Sequence, residues 1–263
     1  MNQMTGVSIS KKKDNSIYYR VSLTHKKRHI WIGSFDNMED AGKCYLEGKM
    51  VLSLKDSGIN PDLPLEYLSF DKYVTLKNYA DNNMYLSNPI YVYQRYFVYY
   101  LSRNDQLTFD TDHLFYFASH KIMRRNQRLF VADFGMQVSV LSRFGIRPYA
   151  VAGRDYRFIN GDSSDYRIEN LEILSRFHGV IRVKKGNTLL YKARVHIRSY
   201  YIVGIYESEL EAAIAYNKAV DILRKNGFKK QFQLNEPDMI TGREYASIYA
   251  AVHVSDKIIH LAP

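Results

Sequence analysis

The chain has 263 residues and a net charge of +10, with 37 lysines and arginines against 27 acidic residues, a balance that points to nucleic acid as partner. One cysteine, Cys44, excludes an internal disulfide and a cysteine-based zinc site. The sequence shows no 18-residue apolar run and no signal-like N-terminus, so we expect a cytoplasmic, nucleoid-associated protein with no membrane partner.

The first block of the chain predicts a small antiparallel sheet followed by a helix. Residues 6–10, 18–24 and 29–35 alternate polar and apolar side chains and are joined by short basic turns, which is typical of a three-stranded meander. Asp36 followed by Glu39 has the spacing of a capping box. We therefore predict a helix that packs a small-residue face, including Cys44, on the sheet.

Alternation along these strands divides their side chains between two faces. The face toward the helix is predicted to hold Tyr19, Val21, Leu23, Ile30 and Ile32. The outward face is predicted to hold Ser8, Ser10, Lys12, Arg20, Ser22, Thr24, His29 and Trp31. The alternative is an ordinary solvated face, but an exposed tryptophan beside several cations favours contact with DNA.

This block resembles the plant ethylene-response-factor (APETALA-two) DNA-binding domain, which also occurs in phage homing endonucleases. The glycine–valine start at Gly6, the segment 30–35 and the alanine- and tyrosine-bearing helix carry the resemblance. It implies that the sheet enters the major groove of double-stranded DNA and that alternate strand residues contact the bases.

The middle of the chain is predicted to be a linker followed by a second domain. Gly58 and two prolines mark residues 57–106 as a linker that ends in an aromatic run, which would be core or a cover for the next domain. A strand at 107–110 and a hairpin across 133–135 begin that domain. Its basic residues are either a solvated loop or a patch that contacts phosphate. They are Lys121, Arg124, Arg125 and Arg128.

Residues 157–174 predict a strand, a tight loop and a returning strand. Gly161 suits a positive-φ corner, and a buried Asn170 could tie the loop together through side-chain hydrogen bonds. The segment resembles the core of phage-type HNH (His-Me finger) endonucleases. The matching residues are Ile159, Asn160, Gly161, Asp162, Asp165, Arg167, Glu169, Asn170 and Leu171.

The segment departs from that family at the catalytic pair. Arg157 and Phe158 stand where the family has Asp and His, and Ser139 replaces another family histidine. Phenylalanine cannot accept a proton and arginine repels a cation, and the helix that brings a further ligand after Asn170 is missing. We therefore expect no catalytic residue, no metal and no cofactor, with Arg157 contacting phosphate instead. The rival hypothesis is a rebuilt metal site, with ligands drawn from Asp155, Asn160, Asp162, Asp165 and His178.

The last block repeats the first. Strands are predicted at 179–184, 191–197 and 200–206, followed by a helix over 209–225 that Ser208 caps. Aligning the glycines of the third strands places Ile202 where the first block has Trp31, and Tyr200 where it has His29. The outward face is predicted to hold Arg182, Lys184, Lys192, Arg194, His196, Tyr200 and Ile202.

The predicted fold is α+β, with two three-stranded-sheet-plus-helix DNA-binding domains on either side of a degenerate HNH-like ββα centre. The predicted boundaries are 1–56, 57–106, 107–176, 177–240 and a helix or tail at 241–263, where a homodimer contact is left open. We expect a sequence-specific binder that represses transcription on a phage or mobile element by occupying its site. An active nuclease and a general architectural DNA-binding protein are the alternatives.

Overall fold

The computed structural model describes residues 4–237 and 240–263. Within them the chain is mixed α+β, with five small antiparallel sheets and six α-helices, which confirms the predicted class. The chain forms two compact units. The first holds the residues up to Val140 together with Asp162–Asn170, and the second holds Leu141–Gly161 and Leu171–Pro263. The predicted domain at 107–176 is therefore divided between the two units.

Some expectations fall on parts of the chain that are not described. Residues 1–3 of the predicted 1–56 domain and residues 238–239 of the predicted 177–240 domain lie outside the described residues. In the ranges that are described, no helix is both long enough and apolar enough to span a bilayer.

The first unit begins with the predicted sheet and helix. Strands β1 (Val7–Lys11), β2 (Ile17–His25) and β3 (Arg28–Phe35) form the sheet, and α1 (Met38–Ser53) covers it. Four of the five predicted inward residues are at most 2% exposed, and Tyr19 is half-buried. This confirms the predicted inward face. The four are Val21, Leu23, Ile30 and Ile32.

Helix α1 begins one position later than predicted. Asn37 is its N-cap and accepts a hydrogen bond from the Asp40 amide at 2.8 Å. Asp36, the predicted cap, accepts a hydrogen bond from Lys12 Nζ at 2.9 Å instead. An asparagine oxygen caps as well as a carboxylate, so the neighbouring residue takes over the role.

Residues 57–106 are not a linker. They form α2 (Phe70–Asn82), β4 (Ile90–Val92) and β5 (Tyr96–Ser102), and β5 pairs with both β4 and β6 (Asp105–Asp110). The predicted boundary at 106/107 therefore cuts through one sheet. Of the two roles expected for the aromatic run, core and cover, the structure shows core. Strand β5 is almost wholly buried and shares a hydrophobic cluster with α1, α2 and the first sheet.

The rest of the first unit is a short helix and a third sheet. Helix α3 (Leu114–Ser119) precedes β7 (Ile122–Arg125), β8 (Arg128–Asp133) and β9 (Met136–Ser139), in the order β7-β8-β9. Asp133 pairs with Met136, which confirms the predicted hairpin across 133–135.

The second unit holds the other sheet–helix module. A two-stranded hairpin, β10 (Tyr156–Phe158) with β11 (Leu171–Ile173), precedes it. The module's strands and helix are β12 (Val180–Lys185), β13 (Thr188–His196), β14 (Tyr200–Tyr206) and α4 (Glu209–Lys225). Ser208 caps α4 in a capping box with Glu211, so its predicted role is confirmed.

The C-terminal segment forms two helices instead of one helix and a tail. They are α5 (Gly242–Ala251) and α6 (Asp256–Ile259). Val252, Val254 and Ile258 are at most 8% exposed and belong to the hydrophobic core around α4. The apolar residues of this segment are therefore used to complete the module.

The two modules also share a β-bulge at the equivalent place in their sheets. A β-bulge interrupts the β2–β3 pairing at Ser22 and the β13–β14 pairing at Arg194. The extra residue is Ile32 on β3 in the first module and Val203 on β14 in the second. Beside the bulge, the Ser22 amide donates to the carbonyl of Gly6, and the Arg194 amide donates to the carbonyl of Gly179, at 2.8 Å each. Both glycines have a φ above +70°, and a Cβ would lie 2.8 Å from the Ser22 oxygen or 2.5 Å from the Arg194 oxygen. Both modules therefore require glycine at this position.

Candidate nucleic-acid interface

The outer face of the first sheet presents three cross-strand rows. Arg20 lies opposite Ser8 on β1 and Ser34 on β3. The next two rows are Ser22 opposite Trp31 and Thr24 opposite His29. Residues directly opposite each other in an antiparallel pair point to the same side, and Ser10 continues the alternation on β1. Lys12 lies just beyond the end of β1, where its Nζ donates to Asp36. Apart from Lys12, the predicted outward set therefore shares one face, which we call the N-terminal face.

Trp31 is held in place at the surface of the N-terminal face. Its side chain is 45% exposed, and its indole Nε1 donates to Ser34 Oγ at 3.3 Å. Lys72 Nζ, from the start of α2, lies 5.0 Å from the centre of the indole ring. Burial lowers the pKa of Lys72. Sequence reasoning missed Lys72 because it assigned α2 to a linker.

The outer face of β12–β14 has the same three rows. Lys192 lies opposite Ile181 and Ile205. Past the bulge, the remaining rows are Arg194 with Ile202 and His196 with Tyr200. The structure therefore brings five predicted residues together on what we call the C-terminal face. They are Lys192, Arg194, His196, Tyr200 and Ile202.

An aromatic ring organises the charged end of the C-terminal face. The guanidinium of Arg194 lies 4.1 Å from the centre of the Tyr200 ring, and the His196 ring lies 4.8 Å from it. Tyr200 is 54% exposed. A planar cation stacked on an exposed aromatic ring loses little freedom when it binds, since the ring already restricts its orientation.

Arg182 and Lys184 do not belong to the C-terminal face, which corrects the sequence prediction. They lie opposite Tyr191 and Leu189, and two positions along from Val180, which is 1% exposed against α4. Because side chains on a strand alternate with a period of two, one residue of error moves every side chain to the other face. Both side chains are exposed, but they project on the helix side of the sheet.

The hairpin formed by β7 and β8 carries a further basic cluster. Arg125 lies opposite Arg128 at its tip, and Arg124 forms an ion pair with Asp105 at 2.7 Å. These arginines and Lys121 are exposed. Two opposed arginines at a tip repel each other, and a phosphate between them would relieve that repulsion.

The loop at 162–170 is organised as the sequence predicts. Asn170 is 3% exposed, and its amide nitrogen donates to the carbonyls of Asp165 at 2.8 Å and Asp162 at 3.2 Å. The loop is also hydrogen-bonded to β6, through Thr108 at 2.9 Å and 2.8 Å. Just before the loop, Gly161 has a φ of +80°, so the positive-φ corner is confirmed.

The residues at the catalytic positions of the HNH resemblance are a solvent-facing ion pair and an aromatic. Arg157 Nε donates to Glu172 Oε2 at 2.6 Å across the β10–β11 pair, and the Arg157 side chain is 59% exposed. Phe158 is half-buried opposite Leu171. Phe158 cannot accept a proton from water as a histidine at this position would.

Two of the three acidic residues of the rival metal site, Asp155 and Asp165, are bound by arginines. Arg154 forms two hydrogen bonds with the Asp155 carboxylate, at 3.1 Å and 2.7 Å, and Arg167 does the same with Asp165, at 2.9 Å and 2.7 Å. Across residues 4–237 and 240–263, no three His, Cys, Asp or Glu side chains are grouped so that they could hold a metal ion.

Comparison with known proteins assigns no family to this chain. No protein-family model matches it, and neither a curated protein nor a solved structure does. Its function is therefore inferred from the residues on the two sheet faces and from their geometry.

Proposed function

We propose that this chain is a sequence-specific double-stranded DNA-binding protein that reads the major groove with its N-terminal and C-terminal faces. The observation that carries the proposal is the repeated module, in which the same three outer rows hold polar, basic and aromatic side chains. A two- or three-stranded sheet is narrow enough for the major groove. Two reading modules on one chain raise the effective concentration of each on a shared duplex, so one molecule can read an extended site.

The two faces differ in chemistry, which predicts a difference in the bases they prefer. The N-terminal face offers Arg20 among serine and threonine hydroxyls. The C-terminal face combines Lys192 and Arg194 with Ile202 and Ile205, which are 52% and 53% exposed. Arginine and lysine suit guanine, and apolar side chains suit the methyl group of thymine. We therefore expect an asymmetric site whose second half is richer in G·C pairs flanked by thymine.

The biological role that this chemistry supports is repression by site occupancy. At the catalytic positions of the HNH resemblance, this chain has Arg157, paired to Glu172, and Phe158. It would therefore keep two DNA-binding modules without nuclease activity. Such a protein on a phage or mobile element would act by blocking polymerase at its site. The degenerate HNH-like centre then serves as a scaffold, and Arg124 and Arg125 supply phosphate contacts.

The test compares cations on the two sides of each sheet. Arg20→Ala and Arg194→Ala should each weaken binding to a selected site by about 1–3 kcal/mol relative to unrelated DNA. The matched controls are Lys11→Ala and Arg182→Ala, which remove exposed cations from the helix side of the same sheets. Affinities measured by fluorescence anisotropy on a site found by footprinting would decide the matter. The assignment is wrong if the controls lose as much discrimination as the tested variants.

A second experiment addresses the nuclease alternative. The unmodified protein should leave its own site intact in magnesium or manganese, and replacing Arg157 and Phe158 by Asp and His should not restore cutting. Arg157→Ala should keep the fold, because it removes an exposed ion pair of small energetic value. It should also weaken DNA binding. Metal-dependent cleavage by the unmodified protein at its own site would overturn this part of the proposal and favour an active nuclease.

A further inference from the structure

The second unit contains a cavity of about 400 Å³ whose lining is strongly basic. It is bordered by residues 147–155, by the start of β12 with the end of β13, and by the segment that follows α4. Cavities that hold a small molecule or a cofactor are about 300–1,000 Å³, so this one is large enough for a group the size of a mononucleotide. The ionised side chains in its lining are Arg147, Arg154, Asp155, Arg194 and Lys230.

The single acid in the lining does not balance these cations. Asp155 is 3% exposed and accepts hydrogen bonds from Arg154, at 3.1 Å and 2.7 Å, and from the backbone amide of Val151 at 2.8 Å. Burial alone would raise the pKa of Asp155, but these hydrogen bonds and the charges of Arg154 and Arg147 outweigh it and lower the pKa. One carboxylate against four cations leaves three positive charges in the lining.

Arg147 has a buried donor with no acceptor. Its Nε is inaccessible to solvent and lacks a hydrogen-bond partner within the described residues, and its Nη2 lies 3.5 Å from Asp155. A buried polar group without a partner is destabilising, and guanidinium donors are suited to the oxygens of phosphate and carboxylate groups. The Nε atom itself is closed to a ligand, but the Arg147 side chain is 23% exposed and lines the cavity, so the accessible part of its guanidinium can donate to a ligand oxygen.

The opposite wall has an aromatic surface and a held lysine. Lys230 Nζ donates to the carbonyl of His196 at 2.9 Å, which fixes the ammonium group at the edge of the cavity. Tyr200, with Arg194 stacked on it at 4.1 Å, provides an exposed ring. Cations that surround an acceptor-sized space next to an aromatic ring match a phosphate group attached to a planar base.

We propose that this cavity binds the phosphate group of a nucleotide. The phosphate can come from the backbone of a bound duplex, since Arg194, His196 and Tyr200 also lie on the C-terminal face, or from a free nucleotide. Either source offers oxygens to the accessible part of the Arg147 guanidinium. The site does not depend on sequence-specific reading, and it goes beyond the proposed function.

The experiment uses the full chain and the variant Arg147→Gln, with Arg182→Gln as the control, because Arg182 is an exposed arginine on the other side of the same sheet. Thermal unfolding is followed in inorganic phosphate, in adenosine monophosphate and in chloride of equal ionic strength. Duplex binding is measured across a range of salt concentrations. Both measurements are repeated with Lys230→Met, in case Arg147→Gln does not fold, because Lys230 is exposed and its replacement should leave the fold intact.

If the ligand is a free nucleotide, adenosine monophosphate should raise Tm saturably above the Tm measured in chloride. This rise should be lost in Arg147→Gln and kept in Arg182→Gln. A backbone source predicts no such rise, with Arg147→Gln reducing the log–log salt slope by about 1 while Arg182→Gln does not. No rise in Tm, together with duplex binding unchanged in both Arg147→Gln and Lys230→Met, overturns the proposal. If either of the two supporting results is obtained but Arg194→Ala does not change the sequence preference, the phosphate site stands and the proposed reading of DNA by the C-terminal face is wrong.

Discussion

Removing the Asn170 side chain should destabilise the first unit by about 1–3 kcal/mol, although Asn170 lies on neither sheet face. The amide nitrogen of this 3% exposed residue donates to the carbonyls of Asp165 and Asp162. Asn170→Ala leaves two carbonyls short of a donor where water has little access. An unsatisfied buried polar group costs about 1–3 kcal/mol. In a unit of this size each kcal/mol corresponds to about 2–4 °C in Tm, so Tm should fall by roughly 2–12 °C.

The assay is thermal unfolding by circular dichroism, with hydrogen exchange on the 162–170 loop to locate the loss. Two compact units can unfold in separate steps, so a single transition should not be assumed. Glu169→Ala is the matched control, because it changes an exposed residue in the same loop and should shift Tm by about 1 °C or less. Equal shifts in Asn170→Ala and Glu169→Ala would refute the assigned role, as would unchanged exchange in the loop.

Four further predictions concern other parts of the chain. Gly179→Ala should destabilise the second unit more than Gly161→Ala does, by thermal unfolding, because both have positive φ but only Gly179 has a strand carbonyl and an aromatic ring 2.5 Å from the added Cβ; Gly161→Ala should cost only the strain of about 1–2 kcal/mol. The Cys44 thiol, whose pKa burial raises to about 12, should resist iodoacetamide until denaturant opens the first unit; rapid labelling of the native protein would contradict this. The pKa of Asp155 is lowered in the fold. Its carboxylate should therefore contribute stability that is present above its unfolded pKa of about 3.9 and is lost as the pH falls through the lower folded value. In acid titrations followed by circular dichroism, Asp155→Asn should narrow the difference in stability between pH 6 and pH 2. The log–log salt slope of DNA binding should be about −5 to −9 if both modules engage, and a slope near −2 would mean that only one does.

The sequence was sufficient wherever a local pattern determines the structure. Alternation with a period of two identified the buried side of β2 and β3, down to Val21 and Ile30 at 0% and 1% exposure. The Ser208 cap and the Gly161 corner were predictable for the same reason, since a helix start and a positive-φ turn each require a narrow set of residues. The glycine alignment between the modules also predicted correctly that Ile202 and Tyr200 share a face with Arg194.

The sequence was insufficient where tertiary pairing decides. Nothing local shows that β5 pairs with β6, so residues 57–106 read as a linker when they are core. The parity of Arg182 was misassigned because glycine and β-branched residues at the start of β12 do not fix which face comes first, whereas the pairing of Val180 with Ala193 does. The basic cavity joins residues far apart in the chain, such as Arg147 and Lys230, and no local pattern brings them together.

The two modules show which of their parts are free to differ. Their interiors keep the same solution, with a bulge closed by a positive-φ glycine and a helix packed through small residues, because each of those positions is fixed by a close contact. Their outer rows keep the geometry but change the chemistry, from Trp31 to Ile202 and from His29 to Tyr200. Substitutions on an exposed face cost little stability, so the outer rows can diverge while the fold is kept. If the two faces read two unlike half-sites, as we propose, this difference in the chemistry of the outer rows is what such recognition would require.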